Sequence, residues 1–531
     1  MDGTPSEETQ ADPQAVAPGQ ANAPHEIELK LRASPEMIER VRQAPVIVQN
    51  ARNRGVTRRL EAIYYDTPDR LLERHAISLR VRRSGQHYVQ TLKRAASGNP
   101  IARHEWETPA PLGKLDLAQL PIAEIGDPLG ALREEMLQPV FSSKVRRRLL
   151  KLELDGALIE IAFDEGVLEA GSRSRALAEI ELELKAGDAA TLYELGLSLL
   201  DVAALQIETA SKAERGYRLA FEAAPAVTKA PPVPIVADDN VDAAIAKILG
   251  QGYAHLLANL SAVETGDDPD GVHQMRVALR RLRTAFSLFD RELAPPALAP
   301  LVSEAKRLAR LLGPARNWDV FLTQTLTGIG KTPVSDIDCS GLRKLAEPLQ
   351  AQSYAAIRER LASPEATRFF LSFGCLLERR GWRNGIASPA MTILAEPVSS
   401  LARRALARSH RKSVKRGRHF KQMGVEARHE LRLSLKKLRY TTEFFLPLHA
   451  DDPAAGKYLK RMARLQDALG AANDAVTTQP LLDEIRRCTD APGLHYATGA
   501  IIGWQRREQV EAAKGLLRKW RKFEATKPFW E

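Results

Sequence analysis

The chain has 531 residues, 44% of them hydrophobic and 27% charged, which is ordinary globular composition and room for two to four domains. No apolar run approaches the ~18 residues that cross a bilayer. Three widely spaced cysteines (Cys339, Cys375, Cys488) exclude a disulfide framework and a cysteine zinc site, so a reducing cytoplasm is the expected compartment. The charge is uneven: residues 1–230 carry a net −4, residues 231–531 a net +15, and 401–440 alone +12. The second half is therefore built to meet an anion.

Residues 1–23, rich in Pro, Ala, Gln and acids, read as a disordered tail. After them the pattern has period two. In HEIELKLR (25–32), Glu26, Glu28, Lys30 and Arg32 share one strand face and Ile27, Leu29 and Leu31 the other. The alternation recurs. SLRVRR places Arg80 and Arg82 together, QTLK ends in Lys93, and RHEWE aligns Arg103, Glu105 and Glu107. IEIAFD aligns Glu160 and Asp164, and AEIELELK aligns Glu179, Glu181, Glu183 and Lys185. Carboxylates two residues apart stand ~7 Å apart on one face and repel one another. Repeated Glu-x-Glu makes sense where divalent cations neutralise it, and oxygen ligands suit Mg²⁺ or Mn²⁺. The interleaved Arg and Lys suit a multiply charged oxyanion. A closed barrel with a charged bore lets both sets meet on one ligand, its apolar outside covered by helices near 35–43 and 189–202.

These elements resemble the CYTH domain of the triphosphate tunnel metalloenzymes over roughly residues 24–220. The match runs through Glu26-x-Glu28-x-Lys30, IYYDT (63–67), Arg80 and Arg82, Lys93, Arg103-x-Glu105-x-Glu107, Arg147, Glu160 with Asp164, EIELELK (179–185) and SKAERGY (211–217). Within Lys144–Arg148, strand phase leaves open which cation points inward. The resemblance implies an eight-stranded antiparallel tunnel that binds a triphosphate with Mg²⁺ or Mn²⁺. Lys30, Arg80, Arg82, Lys93, Arg103, Arg147, Lys212 and Arg215 would bind phosphate. Glu26, Glu28, Glu160, Asp164, Glu179 and Glu181 are the candidate metal ligands. Lys30, Glu105, Glu107, Glu181 and Lys212 are the candidate catalytic residues. Tyr64 and Tyr65 are expected to pack, and Asp66 to serve a turn.

The proline-rich stretch 223–237 reads as a semi-rigid linker between a tunnel domain (24–222) and a helical domain (238–531). The helical half is duplicated: VHQMRVALRRLRTAFSLF (272–289) matches RHELRLSLKKLRYTTEFF (428–445), and LLGPARNWDV (311–320) matches ALGAANDAV (468–476). Repeats of about 238–385 and 394–531 are expected to face each other about a pseudo-two-fold axis. In each copy a cationic stripe stands beside an apolar one: His273, Arg276, Arg280 and Arg283, then His429, Arg432, Lys436 and Arg439. Arg411 and Lys415, in the helix leading into the second copy, add to it. The two histidines could be metal ligands, phosphate donors or helix-start residues.

H-x-x-R-x-x-x-[RK]-[RK]-x-R, occurring twice, together with LG…RNWD and LG…AND read as helix junctions, resembles the CHAD domain. That resemblance implies two helical bundles binding long-chain polyphosphate, and association with polyphosphate granules. Nucleic acid is the disfavoured partner, because no stacking aromatics interleave with the cations. The expected class is α+β, a β-barrel tunnel followed by an all-α domain. The expected reaction is metal-dependent hydrolysis of inorganic triphosphate to pyrophosphate and phosphate. The alternatives are an adenylate cyclase or organic triphosphatase using the same tunnel, and a non-enzymatic polyphosphate-binding adaptor.

Overall fold

The computed structural model describes residues 25–531 except 97–99, 127–128, 332–336, 338, 472–473 and 489–490, so the expected tail lies outside the described residues. The first half is an antiparallel barrel. Its strands are β1 (His25–Arg32), β2 (Val56–Asp66), β3 (Ile77–Ser84), β4 (His87–Ala95), β5 (Ala102–Pro109), β6 (Gln138–Leu154), β7 (Ala157–Ala170) and β8 (Arg173–Ala186). They pair in the order β5-β4-β3-β2-β6-β7-β8-β1, and β1 returns to β5 with Glu26 opposite Arg103, which closes the ring. A two-residue strand, β9 (Gln206–Ile207), extends the end of β1. The β6–β7 hairpin turns on Asp155-Gly156, both at positive φ (49° and 78°), the backbone that a two-residue turn between twisted strands demands.

Alternation puts charge inside and hydrocarbon outside. Leu29 and Leu31 of β1 are fully buried on the outer face. Helices Pro35–Arg42 and Ala190–Leu199 cover that face, burying Ile38, Val41, Leu192, Tyr193 and Leu195. Helix Lys212–Phe221 crosses one end of the bore, fixed by a capping box between Ser211 and Glu214. Asp66 is wholly buried and does more than make a turn. It accepts from the backbone N–H groups of Thr67, Leu72 and Glu73, and from the Tyr217 hydroxyl of that crossing helix at 2.9 Å.

The second half is helical and duplicated. Val241–Ala258, Pro269–Leu293 and Leu298–Val320 recur as Val398–Gly417, Val425–Phe445 and Pro453–Ala471. The central helices of the copies pack on each other with reciprocal contacts. Arg281 pairs with Glu443, while Lys437, which aligns with Arg281, donates to Ser287, which aligns with Glu443. Such exchange is what a two-fold relation requires. LLGPARNWDV is not a helix junction: Leu298–Val320 runs straight through it, Pro314 included, into the wide turn Phe321–Thr325. Gly313 lies beside Arg276, whose Nη1 donates to the Ala309 carbonyl at 3.2 Å. Part of the matching second-copy stretch lies outside the described residues.

The halves share one continuous hydrophobic core, which joins Leu29, Leu31 and Leu195 to Ile245, Tyr253, Phe370 and Phe373. Gly374 abuts the ring of Tyr193, and Arg379 grips Glu194 with two bonds of 3.0 and 2.9 Å. The proline-rich stretch is not a free spacer. Val233 and Ile235 are buried in that core. The Thr228 N–H donates to buried Asn259 at 3.0 Å, and the Thr228 carbonyl accepts from the Asn259 amide at 2.9 Å. Asn259→Ala leaves the Thr228 N–H without its acceptor, while the carbonyl keeps the His255 ring nitrogen at 3.0 Å, and is expected to cost about 1–3 kcal/mol in chemical denaturation of the full chain.

Candidate active site

The barrel encloses a cavity of about 1220 Å³. Glu26, Glu28, Lys30, Arg80, Arg82, Lys93, Arg103, Glu105, Glu107, Arg147, Glu160, Glu181 and Lys212 all line it. Asp164 and Glu179 lie just behind this wall, bonded to Arg147 and Lys212 in it, and Arg215 pairs with Glu179 behind them. The open strand phase is resolved. Arg147 points inward, whereas Lys144 and Arg146 pair outward with Glu169 and Glu165, and Arg148 bonds the Arg54 carbonyl.

On one side of the bore, Lys93 bridges Glu26 (2.6 Å) and Glu105 (3.1 Å). Arg82 pairs with Glu107 at 2.9 Å, and Arg80 stands 3.8 Å from both Glu105 and Glu107. Tyr64, expected only to pack, stacks on Phe141 with ring centroids 4.3 Å apart and also lines the cavity beside Arg80.

On the other side lies a tighter knot. Lys212 Nζ bonds Asp164 and Glu181, each at 2.7 Å, and also Glu179. Arg147 holds Asp164 with two bonds of 2.8 and 2.7 Å and reaches Glu181. Arg215 pairs with Glu179, and Lys30 stands between Glu28 and Glu181. Burial would raise the Glu181 carboxyl, but Lys212, Lys30 and Arg147 hold it well below the usual carboxylate range. Burial would likewise lower the Lys212 ammonium, but Asp164, Glu179 and Glu181 raise it.

One oxygen from each of Asp164, Glu179 and Glu181 lies within 4.8 Å of the others, an all-oxygen set suited to a hard divalent cation. Those oxygens are nevertheless already saturated by Lys212, Arg147 and Arg215. A second acidic group follows from register. Glu183 stands opposite Glu28 on β1 and opposite Glu160 on β7, which makes a row of carboxylates across three strands. Burial raises the Glu183 carboxyl, and Glu26 and Glu28 add to the rise against Lys185. Its three carboxylates share two lysines, Lys30 on Glu28 and Lys185 on Glu183 and Glu160, so a cation fits it at the cost of fewer ion pairs than at the knot. Glu183 was not among the sequence-derived ligands; its signal is third place in the Glu179-x-Glu181-x-Glu183 run.

Nine carboxylates of the bore and its wall face nine cationic side chains, Lys185 and Arg215 included. The mouths add Arg58, Arg59, Arg70, Arg94 and Arg218 against Glu73 and Glu214. The interior is thus balanced and the rims positive, which draws an anion in.

In the helical half, His273, Arg276 and Arg280 are half-buried, Arg283 is exposed, and Arg310 and Arg316 of the next helix adjoin them. Burial, with Arg280 and Arg316, pushes the Arg276 guanidinium down to about 10, and burial and Arg316 lower the His273 imidazole. Arg280 reaches the Tyr440 hydroxyl at 3.5 Å, so the first stripe meets the second copy's helix. There His429, Arg432 and Lys436 are half-buried, and Arg439 is tied to Glu443 one turn on at 2.8 Å. Arg411 and Lys415 stand exposed on the Val398–Gly417 helix. Among the described residues no helix is long and apolar enough to cross a membrane.

The CYTH domain model matches residues 24–217 and the CHAD domain model residues 247–483. An inorganic triphosphatase of Haemophilus influenzae is 32% identical over 206 residues, 36% of this chain and 54% of that protein, so the chain spans about half that relative's length. An uncharacterized protein of Mycobacterium tuberculosis is 26% identical over 492 residues, 87% of this chain and 90% of the relative. Among solved structures, the CHAD domain from the plant Ricinus communis is 29% identical and covers 57% of this chain and 98% of its own, with a TM-score of 0.48.

Proposed function

We propose that this chain, which carries a CYTH domain joined to a CHAD domain, hydrolyses inorganic triphosphate in its bore and binds long-chain polyphosphate on its helical half. The observation that carries the reading is the meeting of acidic and basic side chains inside one closed barrel. In this reading Arg80 and Arg82, presented by Glu105 and Glu107, grip one end of the triphosphate. Lys30, Lys93, Arg103, Arg147 and Lys212 grip the rest, with Arg215 holding Glu179 in place behind them. The all-carboxylate donors fit a divalent ion, held by Glu26, Glu28, Glu160 and Glu183 or, in exchange for Lys212, by Asp164, Glu179 and Glu181. When bound, Mg²⁺ or Mn²⁺ neutralises phosphate charge and lowers the pKa of the attacking water. Water adds to a terminal phosphorus, the P–O–P bond breaks, and pyrophosphate departs. Positioning and electrostatics supply most of what phosphoryl transfer requires.

The test is phosphate release from triphosphate, long polyphosphate, ATP and thiamine triphosphate, with Mg²⁺ and with Mn²⁺. Triphosphate should give the highest kcat/KM. Cyclic AMP from ATP would instead establish the cyclase reading, and no release from any substrate would leave a binding adaptor.

Polyphosphate binding rests on the two stripes. Affinity should fall steeply with rising salt, because contacts to a polyanion release counterions. Charge reversal at Arg432, Lys436 and Arg439 together should weaken it by about tenfold or more. Retention on a polyphosphate resin across a salt gradient measures both, and an unaltered profile would move the groove elsewhere.

A further inference from the structure

The pseudo-two-fold contact between the repeats is chemically unequal. On one side Arg281 is neutralised by Glu443, which also takes Arg439. On the other, Lys437 meets Ser287, and among the described residues it pairs with no carboxylate. Serine in place of glutamate leaves a small cavity of about 60 Å³ there, with Arg291, Arg408, Lys412 and Lys437 in its wall. Glu292 bonds Arg408, but it is shared with Arg404. Ser409 adds a hydroxyl group, while those of the buried Ser434 and Thr441 are engaged by Ser413 Oγ and the Lys437 carbonyl. Burial, with Lys412, Arg291 and Arg408, lowers the Lys437 ammonium, which is the response of a cation crowded by its own sign.

We infer that this cavity is a binding site for one phosphate-sized dianion, either free inorganic phosphate or the terminal phosphoryl group of a polyphosphate chain. The volume admits a few waters or one tetrahedral oxyanion. Four converging cations, with the Ser287 and Ser409 hydroxyls between them, suit phosphate oxygens. The bound anion would supply the charge that Glu443 supplies at the equivalent contact. The site lies apart from the bore, and on the Val425–Phe445 helix it uses Ser434, Lys437 and Thr441 rather than the face of Arg432, Lys436 and Arg439.

The test titrates the full chain with inorganic phosphate by calorimetry, in an Arg80→Ala/Arg82→Ala background that weakens binding in the bore. One phosphate per chain should bind. Ser287→Glu puts the missing carboxylate beside Lys437 and should weaken that binding about tenfold or more; Lys437→Met should do the same. Ser287 is exposed, so its variant should melt as the parent does. In an otherwise wild-type bore, Ser287→Glu should leave triphosphate turnover unchanged, so failure here is separable from failure of the proposed activity. Long polyphosphate that displaces phosphate in proportion to its chain ends assigns the terminal group; no displacement assigns free phosphate. Undiminished phosphate binding by both variants would overturn the site.

Discussion

Replacing Glu26 and Glu28 together by alanine is expected to cut metal-dependent phosphate release from triphosphate by on the order of a thousandfold, the scale seen when preorganised charge is removed from a reacting centre. Two effects combine. Glu28 stands across from Glu183, which stands across from Glu160, so its loss breaks the acidic row at one end. Glu26 and Glu28 also pair with Lys93 and Lys30, which then keep, among the described residues, only Glu105 and Glu181 as partners. The bore then carries two more positive charges than before, so the anion itself should bind as well or better. The expected signature is therefore a collapse in kcat with KM unchanged or lowered, and a higher metal concentration for half-maximal rate. Polyphosphate retention by the helical half should not change. A kcat within a few-fold of the parent would remove these two carboxylates from any metal-binding role.

How much of this was legible follows from how far along the chain each relation reaches. The inward face of each strand was readable because period two is local: Glu26, Glu28 and Lys30 declare themselves within five residues. Eight-strand closure was implied by the resemblance to a family and not by the alternation. Register was not readable. Nothing in the sequence pairs Glu183 with Glu28 and Glu160, and the phase of Arg147 needed a partner strand. The stripes were visible through helical period and duplication, but their partners were not all tertiary: Glu443 lies only four residues from Arg439. The part played by Lys437 was not legible, because the doubled basic pair of the motif turns its two side chains about 100° apart around the helix. Composition gave the proline-rich stretch its stiffness but not its docking. Proline predicts stiffness, whereas docking depends on Asn259, some thirty positions away.

The larger structural effect should come from Lys212→Met, which keeps length and removes charge. Lys212 is buried and is the cation shared by Asp164, Glu179 and Glu181. Breaking a buried ion pair from one side costs about 3–5 kcal/mol, because the remaining charge is left unpaired; Arg147, Arg215 and Lys30 remain and place the expected loss at the lower end. The pH dependence has a definite sign. In the parent, the Glu181 carboxyl is depressed from its ordinary 4.5, so its stabilisation is present above that pH and lost as acid protonates it. The Lys212 ammonium is raised from its ordinary 10.5, so its contribution is present below that pH and lost only in strong base. Both are therefore in force at neutrality. In the variant Asp164 and Glu181 lose the Lys212 charge that lowers them, and protonation relieves the repulsion. The gap in melting temperature between parent and variant should be widest near pH 7 and narrow toward pH 4–5. Divalent ion then discriminates between the two acidic groups. If Mn²⁺ stabilises Lys212→Met more than the parent, the ion takes the place of Nζ among Asp164, Glu179 and Glu181. If it stabilises both alike, the ion sits at the Glu28–Glu183–Glu160 row, and Lys212 is left to hold the knot together and to meet phosphate.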